Sequence, residues 1–265
     1  MTRAICETCG TQYAGSPDRC PVCEDERQYV GIHGQRWTNH DALKISHALR
    51  LEDESGVLGL GLEPAFGINQ RALFLPTDAG NILWECLSLV TDEAVAALQA
   101  RGGVDRIVIS HPHFYTAMQE WSEAFGGIPV LLHEADRQWV PAHASNVEFW
   151  QGDSHRLSDA VTLINSGGHF PGSTVLHWKD GPRPGGALFS GDCPQVVADR
   201  RHVSFMYSYP NLIPLPPTPV RRMQSRLADY AFDDVYGYTW GRNIIGGGRA
   251  AVDASFQRYF AAITD

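Results

Sequence analysis

The stretch "SHPHFYTAM", residues 110–118, decides how the rest of the chain is read. It closes an apolar, strand-like run, "DRIVIS" (105–110), and presents two histidines separated by one residue. Alternate residues of an extended segment point the same way, so His111 and His113 are expected to face one metal ion together. Beyond them, where further ligands would be expected, stand Phe114, Tyr115 and Thr116. Whether the segment is half of a metal site or all of one turns on what other parts of the chain bring to it.

Two other strand ends carry residues of metal-ligand type. In "SGGHFPGS" (166–173) His169 follows two glycines, and in "LFSGDC" (188–193) Asp192 follows an apolar run and a glycine. Taken singly, each has an ordinary explanation. A buried histidine is often bonded to backbone, and an aspartate after a strand is often a turn residue. Their order along the chain and their shared position after apolar runs favour a common site.

The surrounding pattern is of alternating strands and helices. "RALFLPT" and "NILWECLSL" flank a "DAGN" turn and read as a hairpin. Thr91 caps "TDEAVAALQARGG", with acids in the first turn and a glycine pair at the end. A helix over "TAMQEWSEAFGG", a strand "IPVLLH" and a short helix from Glu134 continue the alternation. The strands "AVTLINS", "STVLHW" and "GALFSGD" follow, then a helix from Thr218, the strand "DVYGYTW" and a closing helix from Gly248. Mixed strands with intervening helices predict a layered α/β domain. No internal repeat is visible.

Near the N-terminus, Cys6-x-x-Cys9 and Cys20-x-x-Cys23 form two knuckles, each turning two thiolates toward one point. Reduced thiols, a redox pair and a rubredoxin-like iron site are the alternatives; the short loop between knuckles fits a structural zinc ribbon better. About 27 residues cannot bury a core alone, so metal would supply the folding energy. The expected division is a ribbon over 1–27, a polar connection over 28–54, and a main domain over 55–265. His33, His40 and His47 in the connection read as surface residues. The aromatic and proline-rich stretch 204–219 is expected to cover the active edge or to form a contact between subunits.

Bulk properties narrow the partners. The 265 residues include 43% hydrophobic residues, enough to fill a core, and the net charge is −9 with no basic cluster. Nucleic acid is therefore not expected, and no apolar run approaches the roughly 20 residues that span a bilayer. The expected setting is cytoplasmic and the expected partner a small-molecule substrate, with a homo-oligomer left open.

Together, "GNILWEC", "SHPHFYT", "GGHFPGS" and "LFSGD" resemble the metallo-β-lactamase superfamily over most of residues 55–245. The resemblance implies a four-layer αβ/βα sandwich of two mixed sheets with a metal site at one edge. It places His111, His113, His169 and Asp192 as ligands of one ion, with Glu85 where the family usually has aspartate. The family's second ion relies on an Asp-His pair and a C-terminal His, where this chain has Tyr115, Thr116 and Trp240. The implied function is a metallo-hydrolase working through a metal-activated water at a single ion, with a degenerate second site. Zinc is expected, with iron or manganese as alternatives. Asp192 and Tyr115 are the candidate catalytic residues, the latter as a proton donor. The alternative is a binding or scaffold protein that keeps the fold without turnover.

Overall fold

The computed structural model describes residues 3–15 and 17–263. Two large sheets organise the main body. The first has seven strands, in the spatial order 147–150, 130–133, 106–108, 80–84, 72–77, 58–63 and 48–53. Its first four strands run parallel to one another and the remaining pairs are antiparallel. The second sheet has six strands, in the order 154–156, 161–165, 174–178, 187–191, 234–237 and 243–245. Only 187–191 and 234–237 pair in parallel there.

Three buried apolar layers separate these sheets from each other and from the helices. Leu73, Leu75, Trp84 and Val108 of the first sheet meet Leu163, Leu176 and Phe189 of the second. On the first sheet's outer face, Phe74, Leu83 and Ile107 pack with Ala94, Leu98 and Trp121 of the helices Asp92–Gln99 and Met118–Ala124. On the second sheet's outer face, Val175, Leu188 and Val235 pack with Val220, Met223, Val252 and Phe256 of the helices Pro217–Leu227 and Gly248–Ile263. The alternation of inner and outer residues along each strand follows from the period of two in side-chain direction. The result is the αβ/βα sandwich that the motifs implied.

Several local features follow the sequence reading. The hairpin closes with Ala72–Thr77 paired to Gly80–Trp84, and Thr91 caps its helix by accepting from the Ala94 N–H at 3.1 Å. One feature departs from it: the strand before the paired histidines ends at Val108, and Pro112–Phe114 form a single 3-10 turn. His111 and His113 thus converge through a tight turn opened by Pro112, rather than by strand alternation.

The ribbon sheet joins Arg3–Cys6, Gln12–Ala14 and Trp37–Thr38. Within the polar stretch 28–54, Trp37–Thr38 therefore pairs with the ribbon, while Ala48–Asp53 forms the edge of the seven-stranded sheet. Among the described residues, no helix is long and apolar enough to cross a membrane.

Candidate metal centre

His111, His169 and Asp192 each stand just beyond the C-terminal end of a strand, at the edge where the two sheets meet. The sheets are tied there by the Thr174 N–H, which donates to the Ser110 carbonyl at 2.9 Å. Gly191 makes this approach possible: its φ is +56°, and a Cβ there would lie 2.7 Å from Ser110 Oγ.

The structure brings all four expected edge residues together. One ligand atom from each of His111, His113, His169 and Asp192 lies within 4.8 Å of the others. His113 Nδ1 is 3.1 Å from His169 Nε2, His111 Nε2 is 3.4 Å from Asp192 Oδ1, and His169 Nε2 is 3.8 Å from Asp192 Oδ2. A tetrahedral zinc ion with bonds of ~2.0–2.1 Å needs ligand atoms about 3.3 Å apart. All four residues are buried, none more than 4% exposed. Among the described residues, His111 Nε2 and Asp192 Oδ1 have no hydrogen-bond partner. Buried polar atoms are normally satisfied, so this cluster fits a divalent ion.

The opposite ring nitrogens of His169 and His111 are held, whereas Nε2 of His113 has no hydrogen-bond partner among the described residues. His169 Nδ1 lies 2.9 Å from the Tyr207 carbonyl, to which it can only donate, leaving Nε2 as the free lone pair. His111 Nδ1 contacts Ser110 Oγ at 2.8 Å, and the Ser110 N–H donates to Glu85 Oε2 at 3.1 Å. Glu85 is fully buried, and that burial pushes its carboxyl up to about 8. Burial and the nearby His111 take His169 down to about 4, despite the opposing pull of Asp192. Burial alone would raise Asp192, but the surrounding imidazoles outweigh it and hold the carboxylate below its ordinary range. At neutral pH the centre therefore presents an ionised carboxylate and a neutral His169, the forms that bind metal.

Tyr115 packs in the buried outer core, and burial pushes its phenol well above the ordinary value. Thr116 Oγ1 is 3.0 Å from Cys86 Sγ. The Trp240 indole lies over Gly59 and Gly61, where a Cβ would come within 2.8 and 2.6 Å of it, and beneath the Arg50 guanidinium at 4.3 Å. The Tyr209 hydroxyl donates to the Asp192 carbonyl at 2.5 Å, a contact that no spacing in the sequence announces. The hairpin carrying it, Met206–Ser208 with Ile213–Pro214, lies in the stretch expected to cover the edge.

The second cluster is Cys6, Cys9, Cys20 and Cys23, all buried. Cys6 and Cys23 sulfurs are 3.6 Å apart, as are those of Cys9 and Cys20. Tetrahedral zinc with bonds of ~2.3 Å needs about 3.8 Å between sulfurs. The Gln35 amide donates to Cys6 Sγ at 3.2 Å. The ribbon docks on the segment that carries His111 and His113, because the Gln12 N–H donates to the Thr116 carbonyl at 3.0 Å.

No protein-family model matches the chain. A Bacillus subtilis (strain 168) protein, the uncharacterized protein YmaE, is 36% identical over an alignment of 270 positions that covers 99% of this chain and 97% of the relative. Similar solved structures include a B3 metallo-β-lactamase with an active-site glutamic acid, 16% identical, covering 78% of this chain and 86% of that one at a TM-score of 0.51. Another is TTHA1623 in a di-iron-bound form, 21% identical, covering 72% and 96% at a TM-score of 0.53. At these identities the structural likeness is one of fold.

Proposed function

The chain belongs to the family of the Bacillus subtilis protein YmaE and has the metallo-β-lactamase fold, and on that premise we propose that it is a hydrolase dependent on one ion at the sheet edge. The observation that carries this reading is the convergence of three imidazoles and one carboxylate, with their ligand atoms inside 4.8 Å and two of them lacking a hydrogen-bond partner among the described residues. His111, His113, His169 and Asp192 would hold the ion, and the four cysteines a structural zinc. A single edge ion is favoured because Tyr115, Thr116 and Trp240 offer a phenol, a hydroxyl and an indole at the positions of the second-ion ligands, all poor or absent donors for a divalent ion.

When bound, zinc there would supply Lewis acidity that brings the pKa of water to about 7; iron or manganese would serve in the same residues. Asp192, whose two oxygens face His111 and His169, would supply the one anionic ligand among three neutral imidazoles. Tyr115 remains a candidate proton donor, but its hydroxyl would have to act from within the core. Tyr209 braces the Asp192 turn through its hydroxyl. A polar cleft of about 410 Å³ reaches the turn that carries His169 and is lined by Arg27, His133, Gly168, Arg222 and Arg226. Asp153 lines it too, and Arg27 and Arg226 are already paired with Asp25 and Asp153, so Arg222 is the guanidinium that would meet an anionic group on a substrate.

The near-complete burial of the four ligands favours a second reading, a metal-binding scaffold without turnover. Metal content and hydrolysis of ester, thioester, lactone and phosphodiester substrates, acidic members included, separate the two. The hydrolase should cleave at least one class, and His113→Ala should lose both that activity and one metal equivalent. Metal retained at the edge with no turnover on any class would favour the scaffold.

A further inference from the structure

Arg27 lies just beyond the second cysteine knuckle, yet its side chain reaches the metal centre's supporting turn. Its Nε–H donates to the His169 carbonyl at 2.5 Å. The guanidinium stands 4.7 Å from the ring centres of both Phe170 and Tyr207, and Nη1 is fixed to the two oxygens of Asp25 at 2.7 and 2.8 Å. The neighbouring backbone is clamped as well. The Ser208 hydroxyl donates to the Arg27 carbonyl at 3.0 Å, and the Asn211 amide donates to the Glu26 carbonyl at 3.3 Å and the Gln28 carbonyl at 3.4 Å. The same hairpin supplies the Tyr207 carbonyl that orients the His169 ring. Both the backbone and the ring of His169 are thus held by groups in contact with residues 26–28.

The turn needs such support. Gly167 and Gly168, at φ +63° and +82°, lead into His169, and glycines carry the largest loss of backbone freedom on ordering. Asp25 and Arg27, in turn, follow directly from Cys20 and Cys23, whose segment has little apolar core of its own.

We propose that Arg27 is a positioning residue that couples the four-cysteine ribbon to the His169 turn, so that metal in the ribbon tightens metal binding by His111, His113, His169 and Asp192. This rests on the reading of both clusters as metal sites. Loss of an outer partner of a metal ligand typically weakens binding ~10–100-fold, and coupling between two sites is reciprocal.

The test uses the full chain, with Zn²⁺ affinity measured by chelator competition and Co²⁺ spectra to tell the centres apart, since only the ribbon gives thiolate charge-transfer bands. Arg27→Met should leave the ribbon's bands and the far-UV circular dichroism in place. It should weaken the histidine centre about tenfold or more and shift that centre's d–d bands. Cys20→Ser should weaken the same centre, and the double variant should lose little beyond the larger single loss, because both act along one path. Affinity and d–d bands of Arg27→Met equal to wild type, or losses that multiply in the double variant, would overturn the coupling; the Arg27→Met result stands even if Cys20→Ser misfolds. A wild-type histidine centre that takes up no metal would instead sink the functional reading, and this inference with it.

Discussion

The two nitrogens of His169 have different tasks: Nδ1 gives its proton to the Tyr207 carbonyl, and Nε2 faces His113 and Asp192. The orientation of this proposed ligand therefore depends on a backbone acceptor some forty residues away in sequence, the Tyr207 carbonyl. Asp136 is a second residue whose chemistry comes from its surroundings. It accepts the Gly172 N–H at 2.8 Å, and a Cβ on Gly172 would fall 2.6 Å from its carboxyl carbon. Burial pushes its pKa from 3.8 up to about 7. The folded state thus holds the proton more tightly than the unfolded state. This contribution to stability is fully present below pH 3.8 and is lost as the pH rises through about 7. Asp136→Asn, neutral throughout, should gain stability relative to wild type between about pH 4 and pH 7, by at most ~1.4 kcal/mol per pH unit. Urea unfolding midpoints across that range check this; a difference that does not change with pH would refute it.

At the scale of elements, the ribbon behaves as a small unit with an unusual dependence on its contacts. Its buried core is little more than Cys6, Cys9, Cys20, Val22 and Cys23, too small for independent stability without metal. Cys6→Ser should release one metal equivalent and open the ribbon to proteolysis, while the two large sheets keep their circular dichroism. Retention of that equivalent by Cys6→Ser would remove the four-cysteine assignment. The element also explains a limit of reading from sequence. Two C-x-x-C knuckles announce a metal cluster, but nothing in them announces that Gln12 will bond to Thr116 or that Ser88 will donate to the Gly10 carbonyl at 2.9 Å. Such docking depends on shape and on backbone groups that every residue carries.

For the molecule as a whole, the proposed reading expects two bound metals, one per cluster. Stripping both with a chelator should lower the melting temperature, and two equivalents of Zn²⁺ should restore it by mass action on the folded state. A third tightly held equivalent, seen by elemental analysis, would show that Tyr115, Thr116 and Trp240 do not mark a lost site. The layered α/β class was legible in the strand and helix alternation, and the four-layer sandwich in the resemblance of its motifs. His111, His113, His169 and Asp192 were legible as candidates because apolar runs lead into the segments that carry them, and the resemblance joined them into one set. The turn over Pro112–Phe114 was not legible, since periodicity cannot say where a strand stops and a one-turn helix begins. Nor was the strand Ala48–Asp53, where the alternation of Leu49 and Leu51 with Arg50 and Glu52 is too brief to stand out within a polar stretch. Local pattern by itself determined the layered class, residue chemistry nominated the two candidate clusters, and the loss of donors at three positions came only from the resemblance of the motifs. Tertiary structure alone decided that Tyr207, Tyr209 and Arg27 would meet His169 and Asp192, and Glu85 the Ser110 beside His111, because these contacts join residues distant in the chain through backbone and side-chain groups that have no sequence spacing to read.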